Sequence, residues 1–187
     1  MATASKFAIS EFMAKVDGIG SFAKRNRYTV EVTPPFTMPQ VKSTGVAPAD
    51  VEFLVKALTI PSRTFGTTNF RYGGKYAMEI PYETTSEAVA LTFAETNNFG
   101  ARKFWYDWME WIQNTDAYNM RYYDEYKGTV KISVFDETQR EATNPKHKVT
   151  LTDAWPKGMS AIELGWENAE QLDFSVDIVY KKWEIET

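Results

Sequence analysis

Ile9, Phe12, Met13 and Val16 recur at i, i+3, i+4 and i+7, the stripe of a short amphipathic helix ending at about Val16. From Tyr28 the period changes to two. Tyr28, Val30 and Val32 alternate with Thr29, Glu31 and Thr33, as in a half-buried strand, and Pro34-Pro35 stops the ladder. Pro34, Pro35, Pro39 and Pro48 then punctuate a stretch without periodicity, which predicts a loop over 34–50. FLVKALTI, ending at Pro61, reads as a strand, and so does KYAMEI, where Tyr76, Met78 and Ile80 alternate before Pro81 closes it. Gly73-Gly74 supplies positive-φ positions for a tight turn, so these two strands are expected to form the arms of one long hairpin. Its projecting tip, residues 61–75, contains SRTFGTTNFRYGG.

AVALTFAE is the next strand, with Val89, Leu91 and Phe93 on one face, and Asn97-Asn98 and Gly100 introduce a helix. In ARKFWYDWMEWIQNT the positions Phe104, Trp105, Trp108, Met109 and Ile112 form a broad apolar stripe at the helical period. Three more alternating segments follow, GTVKISVFD, KVTLTDA and QLDFSVDIVYKKWEI, the last with Leu172, Phe174, Val176, Ile178 and Tyr180 on its buried face. The expected fold is mainly β with one principal α-helix. About seven strands, joined mostly by short turns, form an antiparallel β-sandwich or barrel that the helix closes on one side.

The 187 residues fit a single domain, with an N-terminal extension over 1–24. Lys plus Arg number 21 against 25 Asp plus Glu, a net charge of −4 that gives no general attraction to a phosphate backbone. Aromatic residues make up 15%, including six Trp, and such side chains bury large areas in cores and permanent interfaces, which favours an oligomer. The absence of cysteine excludes disulfides, thiol nucleophiles and thiolate metal sites, and the cytoplasm is the expected compartment of folding. MATASKFAISEFMAKV is broken by Lys6, Glu11 and Lys15, so it lacks the apolar run of a signal peptide or membrane span.

Candidate chemistry is sparse. His147, the single histidine, lies in the charged turn NPKHK and reads as a solvated loop residue, and no GxSxG elbow supplies a nucleophile for it. Asp107 with Glu110 and Asp124 with Glu125 read as solvated helix or connector carboxylates. Neither GxxxxGK[ST] nor GxGxxG occurs, and DGIGSF lacks the strand and helix that a phosphate loop needs. RNRY and FRYGGKY interleave cations with aromatics and, in an acidic chain, suit protein interface anchors better than nucleic-acid contacts. No enzymatic constellation, cofactor site or metal site is expected. A small-molecule-binding β-barrel is the alternative from a different class, and it predicts a monomer with a cavity.

The order of these motifs resembles the tail tube proteins of contractile-tailed bacteriophages, a family related to the tubes of contractile injection systems. RNRYTVEVTPP resembles the family's opening strand, and FLVKALTIPSRTF the second strand before the projecting hairpin. TFAETNNFGARKFWYDWMEWI is similar to its strand, variable turn and aromatic-faced helix. YYDEYKGTVKISVFD, DAWPKGMSAIELGW and LDFSVDIVYKKW resemble its closing strand, Ala-aromatic-Pro turn and final strand. The 34–50 loop and the segment before Arg25 are longer than the family pattern, as in a tube initiator or a specialised tube. The resemblance implies hexameric rings stacked into a tube inside a contractile sheath, a conduit for genome delivery in the virion tail, assembled in the host cytoplasm. The implied partners are other copies of the chain, the sheath protein, the baseplate or tube initiator and the tail terminator. Tape-measure protein and DNA pass through the lumen without specific binding. A baseplate or initiator protein, or an injection-system tube, is the alternative within this class. In this picture Arg63, Phe65, Asn69, Phe70, Arg71 and Tyr72 at the hairpin tip are expected to contact the adjacent ring. Glu31, Glu79, Asp173 and Asp177, on off-core strand faces, are expected to line the lumen and repel DNA.

Overall fold

A computed structural model describes residues 9–19, 22–38, 48–136, 145–166 and 169–186. The helices are α1 (Ile9–Ile19), α2 (Pro48–Phe53), α3 (Gly100–Ile112) and α4 (Tyr123–Tyr126). The strands are β1 (Tyr28–Thr33), β2 (Val55–Leu58), β3 (Thr64–Phe70), β4 (Met78–Thr85), β5 (Val89–Ala94), β6 (Gly128–Val134), β7 (His147–Met159), β8 (Asp173–Val179) and β9 (Lys182–Glu186). Seven strands form one antiparallel sheet in the order β1-β6-β7-β8-β5-β2, with β9 also on β7, while β3 and β4 form a separate two-stranded sheet.

β7 organises the sheet because it changes partners along its length. His147–Ala154 pairs with β6, residues 148–152 also pair with β9, and Trp155–Met159 pairs with β8. The change coincides with Asp153 at φ 56° and a register shift between Pro156 and Gly158. Proline is tolerated where the ladder is already interrupted. Ala154-Trp155-Pro156, expected as a turn, is therefore a bend within a continuous strand.

Alternation places Val30, Val32, Val130, Ile132, Val149, Leu151, Val89, Leu91, Phe93, Phe174, Val176 and Ile178 in one core. α3 closes it with Ala101, Phe104, Trp105, Trp108 and Ile112. Trp105 and Trp108 stack with centroids 5.5 Å apart and planes 5° from parallel, and Phe93 lies 5.5 Å from both Trp105 and Phe174. Such packing is dispersion-rich and intolerant of volume change. The start of α3 is held by buried Glu95, whose carboxylate accepts the amides of Thr96 and Arg102, both at 3.0 Å. This satisfies one of the orphan donors at a helix N-terminus and suits its positive end. Trp108 Nε1 donates to the Tyr126 carbonyl at 3.0 Å, tying α3 to α4.

Several predicted elements differ. The first helix runs on to Ile19, and the expected 34–50 loop gives way to α2 at Pro48, with positions 39–47 lying outside the described residues. The stretch predicted as one last strand divides at Tyr180 into β8 and β9, which pair with different parts of β7. The expected hairpin has other arms: β2 pairs with β5, and the hairpin is β3 with β4. Pro81 does not end a strand but sits inside β4 opposite Thr67, next to a register shift at Gly66/Thr67.

Candidate functional site

The hairpin departs from the sheet between β2 and β5, and its strands are exposed at every position except half-buried Gly66. Of its predicted contact residues, Phe65 lies on β3 with Arg63 stacked over its ring at 5.2 Å. Asn69 stands opposite Glu79, and Phe70 opposite Met78. Arg71 and Tyr72 begin the turn, with the Phe70 and Tyr72 rings 5.8 Å apart. Gly73 has φ +60° as expected of a turn glycine, whereas Gly74 has no positive φ.

The second arm adds residues that the sequence pattern assigns to a buried face. Met78 and Ile80 share a face with Phe70 and Thr68, and Tyr76 and Tyr82 are also exposed. Alternation in KYAMEI does mark a one-sided strand, but the apolar side faces solvent. Exposed apolar clusters of this kind mark interaction surfaces, and a two-stranded hairpin is marginal on its own.

The four candidate lumen carboxylates fall in three places. Glu31 lies on the solvent face of β1, where Lys131 on β6 holds it at 3.3 Å. On the neighbouring strands of that face Lys148 pairs with Glu186, which also accepts from Thr150 at 2.7 Å and is held below the usual glutamate range by these bonds. Asp173 and Asp177 lie on the solvent side of β8, flanked by Ala90, Thr92 and Ala94 of β5. Lys56 of β2 pairs with Asp173, while Asp177 is exposed. Glu79 is on the hairpin. Glu31 and Asp173 are thus neutralised by lysines and are not the unpaired carboxylates expected of a repelling bore.

Two grooves occupy the side of the molecule where the terminal strands β1 and β2 approach each other. One, of about 550 Å³, is lined by Arg25, Asn26, Tyr28, Val30, Phe53 and Val55 among others. The second, about 590 Å³, is lined by residues that include Lys24, Arg27, Ala57, Leu58, Ile60 and Val134. The Tyr28 hydroxyl donates to the Val55 carbonyl at 3.3 Å between them. RNRY therefore belongs to a groove wall and FRYGGKY to the hairpin turn.

Residues considered for catalysis are dispersed. His147 starts β7 opposite Val134, so it is a half-buried strand residue, not a loop residue. Asp107 and Glu110 lie half-buried on α3, and burial raises the Asp107 carboxyl although Lys103 counteracts this. Asp124 pairs with Lys127 at 2.7 Å, which lowers its carboxyl, and Lys127 also reaches Asp153 at 3.3 Å. No group of three or more His, Cys, Asp or Glu able to hold a metal ion is present among the described residues.

Known structures share this architecture. A sheath/tube terminator of an extracellular contractile injection system superposes with a TM-score of 0.65 at 12% identity, over 90% of this chain and 99% of that one. A chain of an injection-system sheath-tube complex gives 0.63 at 11% identity, covering 99% of each. An Hcp protein gives 0.52 at 9% identity, over 86% of this chain and 92% of that one. No curated protein sequence matches. The family model for the phage tail tube protein matches residues 23–186, which takes in every strand of the sheet, the hairpin, the helix α3 and both groove walls. The chain belongs to the phage tail tube protein family.

Proposed function

We propose that this protein is the structural subunit of a phage tail tube, polymerising as stacked hexameric rings inside a contractile sheath to form a conduit for genome delivery. Membership of the tail tube family supports a non-enzymatic structural role in the virion tail. The observation that carries the assembly reading is the β3–β4 hairpin. It presents Phe65, Phe70, Tyr72, Tyr76, Met78, Ile80 and Tyr82 to solvent, an apolar surface suited to contact with another copy. In this reading Arg63, Phe65, Asn69, Phe70, Arg71 and Tyr72 meet the adjacent ring, joined by Met78 and Ile80 from the second arm.

The face of β2, β5 and β8 is the better candidate for the bore. The hairpin leaves the sheet from β2 and returns to it at β5, and the face offers small side chains, Ala57, Ala90, Thr92, Ala94 and Ser175, beside exposed Asp177. A wall of that kind gives DNA nothing to grip. The partners are then further copies, the sheath, the baseplate or initiator and the terminator, with assembly in the host cytoplasm and tape-measure protein and DNA moving through the lumen. A tube-initiator or terminator role is the second reading, favoured by the terminator and baseplate proteins among the structures of this fold. A ligand-binding barrel has less support, because the interior is filled by Phe93, Phe104, Trp105, Trp108 and Phe174, each at most 2% exposed.

Negative-stain electron microscopy of the purified protein over a concentration series tests the proposal. Hollow rods of uniform diameter are expected. Single rings that never stack would favour the terminator reading, and a monomer at every concentration, even with tail baseplates added as templates, would overturn both.

A further inference from the structure

We infer that α1 is an exchanged arm: the N-terminal helix of one copy seats in the groove between β1 and β2 of a second copy. The partner rests on the ring assembly proposed above, but the surfaces are this chain's own. α1 carries an apolar stripe and buries no residue, with Ile9 76% and Ile19 88% exposed. Phe22 packs on Phe12 at 6.3 Å and lengthens the stripe without covering it. At 1.5 Å per residue the 11-residue helix is about 16 Å long, and helices of this length are marginal in water without a packing partner.

The groove offers what the stripe needs. Its apolar lining is Ala57, Leu58, Ile60 and Val134, with Tyr28 at the start of β1 and Ala23 just before it on the opposite wall. Lys24, Arg25 and Arg27 make the groove basic. The helix presents Glu11 in its first turn, opposite in sign to Arg25 on the groove wall, so the charges are complementary there. The two grooves adjoin at Arg25, Tyr28 and Lys56, which line both, so they are neighbouring stretches of one trough with the Tyr28–Val55 hydrogen bond between them.

The family match begins at residue 23, where the groove wall begins, so the trough lies within the segment that matches the family and α1 lies outside it. Arm and trough are different surfaces, so passing the arm from copy to copy is a head-to-tail contact. Such contacts close into rings when the rotation permits. Each ring contact would then be reinforced by a segment tethered at the rim of its own copy's trough.

The chain contains no cysteine, which makes the test direct. A Phe12→Cys variant is mixed with a Leu58→Cys variant fused to a heavier tag, at assembling concentration and under mild oxidation. A disulfide forms only when the two Cα atoms come within about 7 Å. A heavy–light cross-linked species is expected, and adding Ile9→Asp and Met13→Asp to the light chain should reduce it at least tenfold. Absence of the heavy–light species would overturn the inference, as would a Phe12→Cys, Leu58→Cys double variant that closes only within its own chain. Electron microscopy of the same samples separates the two proposals. Rods without heavy–light species remove the arm and leave the tube; heavy–light species without rods support the arm and count against the tube.

Discussion

Gly128 is the residue at which the fold has least tolerance. A Cβ placed there would lie 2.5 Å from the Thr33 carbonyl oxygen and 2.7 Å from the Trp108 ring, which is itself fully buried and stacked on Trp105. Neither neighbour can retreat without disturbing the β1–β6 ladder or the aromatic core. Gly128→Ala should therefore cost about 1–3 kcal/mol, a fall in melting temperature of roughly 2–4 °C per kcal/mol for a chain of this size. Thermal denaturation checks this. Glu52 makes a different prediction. Its carboxylate accepts the Val32 amide at 2.8 Å, but burial raises its affinity for a proton, opposed by that hydrogen bond and assisted by nearby Glu31. A carboxyl whose folded pKa is raised contributes stability when protonated and loses it as pH rises through the folded value. Glu52→Gln keeps an acceptor for Val32 and removes the charge. The variant should match the wild type below the ordinary glutamate value of 4.5 and exceed it above the raised one. The gain is under about 1 kcal/mol because the site is partly solvated. Urea midpoints measured across this range test the sign.

At the scale of elements, hairpin and sheet are separable. Among the described residues β3 and β4 pair only with each other, and their side chains are exposed, so replacing residues 63–85 with a short Gly-Ser link should leave a cooperative unfolding transition near the wild-type temperature. The same variant should no longer form rods, with a mass in solution below that of stacked rings; normal rods would remove the hairpin from the assembly contact. The hairpin also shows where sequence patterns stop being informative. β1, β5 and α3 were legible because their apolar faces are covered by the chain itself, so the period predicts both the element and its burial. β4 has the same period, but its Met78 and Ile80 face solvent, and alternation does not say who supplies the cover. Proline misled twice for one reason. It removes an amide from a ladder, yet at Pro81 and Pro156 the ladder is already broken by a register shift, so neither strand ends there. β9 was missed because both halves of LDFSVDIVYKKWEI alternate apolar and polar positions, with no Gly or Pro between them, and only the pairing of its two parts with different stretches of β7 separates them. Of the candidate site, the tip residues were readable as exposed aromatics in a polar stretch. The pairing of Glu31 with Lys131 and of Asp173 with Lys56 was not, since those partners are about 100 or more positions away in sequence.

At the scale of the whole molecule the proposed tube raises the question of which solvent face would border its bore, and charge reversal can decide it. The β1-β6-β7-β9 face is a lattice of pairs, Glu31 with Lys131, Lys148 with Glu186 and Lys182 with Glu184. If that face touched DNA, Glu31→Gln would release a lysine toward the phosphates and slow transit. The β2-β5-β8 face has small neutral residues, one neutralised carboxylate at Asp173 and the exposed Asp177. Asp177→Lys changes that face by two charges per copy, repeated around every ring. Every lysine that reaches a phosphate adds a salt-dependent attraction, and a wall that binds its cargo holds it back. Ejection of DNA from phage carrying Asp177→Lys should therefore slow several-fold in about 0.05 M salt and recover toward the wild-type rate near 0.5 M, where the screening length falls to roughly 4 Å. Glu31→Gln should leave the rate unchanged. The opposite pattern would assign the bore to the β1-β6-β7-β9 face. If both variants eject at the wild-type rate at low salt, DNA does not approach either carboxylate, and neither sheet face lines its path.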